Sequence, residues 1–506
     1  MKEYKVSVMV MLLSGALCAF GADSTGLDCC GRCWELPPAA RFDGRMLRIV
    51  SPEGSRKATF AQLPLDLKPY DGDEVRVTIR AEGKGVSEPK ERWNGVKVML
   101  KYRDRETDRF RYPQAYLPRG DFAGEYSFIA ALYDVETDDA KLCLGLEGAS
   151  GEVSFDLESL KFERCHGESI RNPDYKVKYS GTHATRAALR GCMVSPNVTE
   201  KDLADLAGWG AKLIRYQILP YGSFGLKGAN EDEKIACFNS NLVARIDFID
   251  RDVLGWARKY GFKVVIDMHM YPEDTIYTSA KSRDAFVAAW RSVARRFKGA
   301  GDVVYGYDLM NEPVGHGRDV PWTYLDLQEL CAKEIRAIDP NATVIVASGN
   351  GDSPGSFESL GALAMDNVIY TVHVYEPLTY THQFVMPKVR PERAKKSALP
   401  ENLEKHLRAT LAPVRRFQLR HGCRILVGEF SAVVWADRAG EYLETCIRLF
   451  EEYGWDWTYH AFRESTLWSV EHEADRPPDI RKPSADNPRK RALLNGLGNG
   501  AGIPRE

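Results

Sequence analysis

The feature that most constrains the fold is a rhythm that begins near residue 188. Short, continuous apolar runs recur there, separated by amphipathic stretches. The runs are Leu189-Arg-Gly-Cys-Met-Val194, Ala211-Lys-Leu-Ile-Arg-Tyr216, Lys263-Val-Val-Ile-Asp-Met268, Val303-Val-Tyr-Gly-Tyr-Asp-Leu-Met310, Ala342-Thr-Val-Ile-Val-Ala347, Val368-Ile-Tyr-Thr-Val372, Arg424-Ile-Leu-Val-Gly428 and Trp455-Asp-Trp-Thr-Tyr459. A strand apolar on both sides must be covered on both sides, as in a parallel sheet flanked by helices. The intervening stretches supply those helices. Thr199 reads as the N-cap of one that opens at Glu200 and is stopped by Gly210. Residues 282–297, 324–338 and 441–453 carry apolar side chains at helical spacing. Such alternation predicts an α/β fold, a (β/α)8 TIM barrel over residues 187–500. An open doubly wound sheet is the alternative. No Gly-rich phosphate loop follows the first run, which argues against a nucleotide-binding version.

Residues 34–165 have a different rhythm. Glu74-Val-Arg-Val-Thr-Ile79, Val96-Lys-Val-Met-Leu-Lys-Tyr102, Lys141-Leu-Cys-Leu-Gly-Leu146 and Val153-Ser-Phe-Asp-Leu-Glu-Ser-Leu-Lys-Phe162 alternate at period two. Turn residues punctuate them, and this predicts an all-β sandwich. The stretch resembles the jelly-roll carbohydrate-binding-like modules attached to polysaccharide hydrolases, notably at Gly148-Ala-Ser-Gly-Glu-Val-Ser-Phe-Asp156. Trp93, Tyr102, Tyr112 and Tyr116 are then candidates for a sugar platform, or simply structural aromatics. Residues 166–186 are polar and aperiodic and read as a linker.

At the N-terminus, Lys2 and Lys5 precede an apolar stretch too short to span a membrane comfortably, and Ala19 and Gly21 offer a cleavage site. Residues 1–21 are therefore expected to be a secretory signal peptide and the protein to be secreted, extracellular or periplasmic. A lipid anchor at Cys18 fits poorly, because Gly-Ala-Leu precedes it. Export permits disulfides among Cys29, Cys30, Cys33, Cys143 and Cys165. Cys192, Cys237, Cys331, Cys423 and Cys446 lie mostly in apolar contexts and read as buried small hydrophobes. The formal charge of −2 leaves no basic excess for nucleic acid. No metal-ligand spacing emerges, and His316, His382 and His472 are scattered. No cofactor is expected.

In a TIM barrel the reactive groups stand at the C-terminal ends of the strands. Those ends are polar here: Arg215, His269, Asn311 with Glu312, His373 with Tyr375, and Glu429. Carboxylates on the fourth and seventh strands would face each other across the barrel mouth. Cleaving an acetal needs such a pair, one protonated to release the leaving oxygen and one ionised. Whether the second attacks carbon directly or activates water depends on their separation, which sequence does not give.

At these residues a resemblance becomes specific. Gly210-Ala-Lys-Leu-Ile-Arg215, Ile266-Asp-Met-His269, Asp308-Leu-Met-Asn-Glu-Pro313, His373-Val-Tyr375 and Val427-Gly-Glu-Phe430 resemble, in order, the strand-end motifs of glycoside hydrolase family 5, a cellulase-like family of clan A barrel hydrolases. The resemblance implies a retaining β-glycosidase. Glu312 would be the acid/base and Glu429 the nucleophile. Asn311 would bind the sugar 2-hydroxyl, Tyr375 would donate to Glu429, and Arg215 would support it electrostatically. His269 and His373 would bind hydroxyls or order the carboxylates. The family's strand-8 Trp is missing from Trp457-Thr-Tyr-His-Ala-Phe-Arg-Glu464, so His460 or Phe462 is the expected sugar floor. Trp435 could flank the cleft or serve packing, and Asn350-Gly-Asp352 could line it or make a turn. The implied substrate is a β-1,4-linked polysaccharide, cellulose or another β-glucan favoured, cut by a monomer. Endo-β-mannanase and exo-β-glucosidase action stay open, as does a non-catalytic glycan-binding role.

Overall fold

The computed structural model describes residues 34–498 apart from 44, 55–56, 72, 90, 92–93, 105–108, 133–134, 165–170, 173, 185–186, 219–227, 270–272, 314–321, 389 and 475–480. The expected signal peptide, Cys29, Cys30, Cys33, Trp93, Cys165 and His316 lie outside the described residues. The chain divides into two compact units between Arg171 and Asn172.

The first unit is a sandwich of two antiparallel sheets. Its strands are β1 (Ala40–Asp43), β2 (Met46–Ser51), β3 (Thr59–Pro64), β4 (Asp73–Val86), β5 (Gly95–Asp104), β6 (Arg109–Arg111), β7 (Gln114–Tyr116), β8 (Gly120–Leu132), β9 (Val135–Glu147) and β10 (Gly151–Arg164). One sheet has the order β1-β2-β10-β4-β8 and the other β3-β9-β5-β6, with β7 also on β5. The period-two alternation puts Val77, Ile79, Val98, Leu100, Leu144 and Phe155 into one shared core. Parity also decides the candidate platform. Tyr102 is in step with Val96, Val98 and Leu100, so it points into that core and is only 4% exposed. It cannot present a face to sugar, whereas Tyr112 and Tyr116 are half exposed. Cys143 is a buried free thiol.

In the second unit eight parallel strands close on themselves. They are β11 (Arg190–Val194), β12 (Leu213–Ile218), β13 (Lys263–Met268), β14 (Val304–Asp308), β15 (Val344–Ala347), β16 (Val368–Val374), β17 (Arg424–Phe430) and β18 (Asp456–Phe462). Each pairs with the next, and β11 pairs with β18, so the sheet is a closed barrel and not an open one. The close approach of β11 to β12 needs Gly191, where a Cβ would sit 1.6 Å from the Leu213 carbonyl oxygen.

The helices begin where sequence chemistry can satisfy their free N–H groups. Thr199, Asn230 and Thr323 each cap a helix and form capping boxes with Asp202, Glu233 and Asp326, opening Glu200–Gly208, Glu231–Phe248 and Tyr324–Ile338. Among the described residues no helix is long and apolar enough to cross a membrane.

Leu213, Val265, Tyr305, Ile345, Ile369 and Leu426 form an apolar layer inside the barrel, and Tyr179 and Leu189 pack on it. The stretch read as a linker over 166–186 is therefore partly structural. The Tyr179 hydroxyl donates to the Val368 carbonyl at 2.5 Å and accepts the Arg424 N–H at 2.7 Å. The His183 ring meets Tyr305 edge-on, and Val177 N–H donates to the His421 carbonyl. Tyr175, Val177 and Tyr179 alternate, but over too few residues to stand out from a polar background.

Candidate active site

The site grows from the barrel's polar interior. Arg215 lies in the middle of β12 rather than at its end, and it is fully buried. Its Nε donates to Asp308 Oδ2 at 2.9 Å, one terminal nitrogen donates to Glu429 Oε1 at 2.9 Å, and the other donates to Asn311 Oδ1 at 3.0 Å while standing 3.1 Å from Asp267 Oδ1. A guanidinium suits this position because it offers several fixed donors and stays charged when buried. The fork holds Asn311 and Glu429, from opposite sides of the barrel, in one frame.

Glu429 lies in β17, 4% exposed. Its second oxygen, Oε2, accepts the Tyr375 hydroxyl at 2.8 Å, and His460 Nδ1 and His373 Nδ1 stand 3.7 and 3.9 Å from it. Burial alone would raise the carboxyl's pKa. The facing charges of His373, His460, Arg215 and His269 outweigh burial and hold it well below the usual range. Glu429 is thus an ionised carboxylate with both oxygens oriented, the state a nucleophile needs.

Glu312 follows β14 and differs in every respect. It is partly exposed, and its backbone sits in the left-handed region at φ 46. For a residue with a side chain that conformation costs about 1–3 kcal/mol and persists only where neighbours fix it. One of those neighbours is Asp352, fully buried, whose Oδ2 accepts the Glu312 N–H at 2.9 Å. His373 Nδ1 is 2.9 Å from Glu312 Oε1. His269 Nδ1 is 2.8 Å from Asp267 Oδ2, so His269 is oriented by a carboxylate that itself faces Arg215.

Glu312, His373 and Glu429 each offer an atom within 4.8 Å of the other two. That spacing could take a cation. Arg215, however, already places a fixed positive charge on Glu429, and Tyr375 occupies the other oxygen, so the donor set suits a positively charged transition state better than a resident metal.

His373 gives the site a pH signature. Burial pushes its pKa down, but Glu429, Asp352 and Glu312 more than reverse this and raise it from 6.5 to about 9. A histidine raised in the folded state adds stability that is fully present below pH 6.5 and lost as pH rises through about 9. Between those limits the unfolding midpoint of the natural protein is expected to fall relative to that of His373→Gln. Parallel curves for the two proteins would refute the raised pKa.

Of the sequence candidates, the structure brings together Glu312, Glu429, Arg215, Asn311, His373, Tyr375 and His460, with His269 beside them. Phe462 is not in the site. The β11–β18 pairing shifts register between Cys192/Tyr459 and Val194/Phe462, which turns Phe462 to the outside of the barrel. There it is 4% exposed and packs edge-on against Trp209 at 5.0 Å. His460 therefore faces the cleft from strand 8. Trp435 donates from Nε1 to the Gln383 carbonyl at 3.0 Å and packs against the core. Sequence reasoning missed Asp267 and Asp308, although both lie inside quoted motifs. It also missed the role of Glu464, whose Oε2 is 3.3 Å from His460 Nε2, and that of His382, which packs with Trp468, a residue the sequence places near the sugar floor, against Tyr375.

The cellulase family, glycosyl hydrolase family 5, matches residues 176–465. Cellodextrinase A of Ruminococcus flavefaciens is 25% identical over 272 residues, which cover 51% of this chain and 76% of that protein. Endoglucanase C of Acetivibrio thermocellus is 27% identical over 301 residues, 52% of this chain and 84% of that one. A structure of Thermotoga maritima Cel5A with cellobiose aligns at 21% identity and a TM-score of 0.47, covering 62% of this chain and 97% of that one. The family match takes in more than half of the chain and the polar residues of the site, from Arg215 to Glu464. This chain belongs to glycosyl hydrolase family 5, and it is a glycoside hydrolase of the endoglucanase-like kind.

Proposed function

We propose that the enzyme cleaves β-1,4-linked glucan by double displacement, with Glu429 as nucleophile, Glu312 as acid/base, and retention of anomeric configuration. The observation that carries this is the spacing of the two carboxylates. An oxygen of each lies within 4.8 Å of an oxygen of the other. Retaining enzymes hold their carboxyl groups about 5–5.5 Å apart, and inverting ones need about 6.5–9.5 Å to seat a water. Ionised Glu429 and partly exposed, His373-linked Glu312 fit the division between attack and proton transfer. The names of the relatives, a cellodextrinase and endoglucanases, favour glucan. The lysine-flanked leader favours action outside the cytoplasm.

The test is product analysis on cellulose, mixed-linkage glucan, xyloglucan, mannan and xylan, with the anomer read by NMR before mutarotation. Cleavage of a β-1,4-glucan with β product is expected. Initial α product would overturn retention, and cleavage of mannan but no glucan would overturn the substrate. No cleavage of any β-glycan would move the reading toward glycan binding.

A further inference from the structure

The proton inventory around Tyr375 leads beyond these roles. Its hydroxyl lies 2.8 Å from Glu429 Oε2 and 2.7 Å from His460 Nδ1. A phenol has one proton to give. Glu429 is an ionised acceptor, so that proton goes to Glu429; otherwise two lone pairs would face each other at hydrogen-bond distance. His460 Nδ1 must then be the donor to Tyr375. On the far side of the ring, His460 Nε2 faces Glu464 Oε2 at 3.3 Å, again a carboxylate that only accepts. Both ring nitrogens therefore carry hydrogen.

We propose that His460 and Glu464 are a positioning pair, with His460 held as an imidazolium that fixes the Tyr375 proton on the nucleophile. The chain Glu464–His460–Tyr375–Glu429 runs from a residue beyond β18 to the centre of the barrel. Trp468 covers the ring at 5.7 Å between centroids, and its π face suits a cation. The groups facing His460 are Glu429 from β17, Tyr375 from the end of β16, Glu464 from beyond β18, His269 from the end of β13, and His382 behind Tyr375. Of these, Glu429 and Glu464 favour the cation and His269 opposes it. Burial drives His382 down to about 3, so it is neutral. The balance keeps His460 raised against burial. The arrangement gives Glu429 its hydrogen-bond donor without leaving Tyr375 free to turn away. Glu464 acts at a distance, through His460.

The role assigned to Tyr375 rests on Glu429 being the nucleophile, but the charge of His460 can be judged without any substrate. In the full chain with isotope-labelled histidine, the nitrogen NMR signals of His460, assigned by their loss in His460→Gln, should report two protonated nitrogens at neutral pH. A neutral ring there would overturn the proposal. In Glu464→Gln the ring should deprotonate about one pH unit lower or more, as for loss of one close carboxylate. The kinetic arm uses an aryl β-glycoside with a very good leaving group, which needs no proton from Glu312. The alkaline limb of its kcat/KM profile should move to lower pH by the same interval in Glu464→Gln, and Glu464→Asp should restore part of it. An alkaline limb that stays in place would also overturn the pair.

Discussion

Glu429→Ala is expected to lose roughly 10⁴-fold or more in kcat, and to regain turnover in azide with the product configuration inverted. The reason is the geometry around one carboxylate. Arg215 and Tyr375 hold its two oxygens, which keeps this carboxylate ionised and oriented for attack on the anomeric carbon. Alanine leaves a space where a small anion can sit and attack from the same face, yielding the α-azide in one displacement. Glu312→Ala should behave differently. Substrates with very good leaving groups should suffer least, since they need no proton in the first step. Hydrolysis by Glu429→Ala at the natural rate without azide would remove this residue as the nucleophile.

The second large effect is expected at Arg215. Arg215→Met removes a buried cation from among Asp267, Asp308 and Glu429 while keeping much of the volume. Stranding buried carboxylates in this way costs about 3–5 kcal/mol, so the unfolding midpoint should drop by many degrees along with activity. Arg215→Lys should fall between, because an ammonium supplies charge without the fork that reaches Asn311 and Asp308 together. The deficit of Arg215→Met should also shrink as pH falls. Burial already lifts Asp308 to about 6 despite Arg215. A carboxyl raised in the folded state binds its proton more tightly there than in the unfolded chain, so acidification through pH 6 favours the fold. Calorimetry from pH 7.5 to 5 would show this narrowing; a gap that widens on acidification would contradict it.

The barrel was legible because strands buried on both faces leave an unmistakable pattern, and because helical spacing recurs between them, opened in one case by the cap Thr199. The catalytic pair was legible because the motifs fall where strands end. What escaped was of two kinds: a parity left unapplied, and contacts that no periodicity records. Tyr102 is polar-tipped and aromatic, yet strand parity alone consigns it to the sandwich core. Phe462 was one register shift away from the cleft. Glu464 lies just beyond the last strand, and only the folded chain shows it facing His460; Asp352, read as either a cleft or a turn residue, is settled by its bond to the Glu312 N–H. The helix Leu403–His421 carries Pro413 in its interior, and this residue breaks the usual helical signature although the segment stays helical through packing.

The segment of Tyr175, Val177, Tyr179 and His183 also bears on modularity. Tyr179 packs on the apolar layer inside the barrel, His183 packs on Tyr305 and Val177 joins the core around the strands, so this stretch belongs to the catalytic unit and not to a tether between units. A junction through which this unit could be exchanged between proteins would therefore fall at Asn172 or before it. A splice at residue 187 would leave the barrel without this packing.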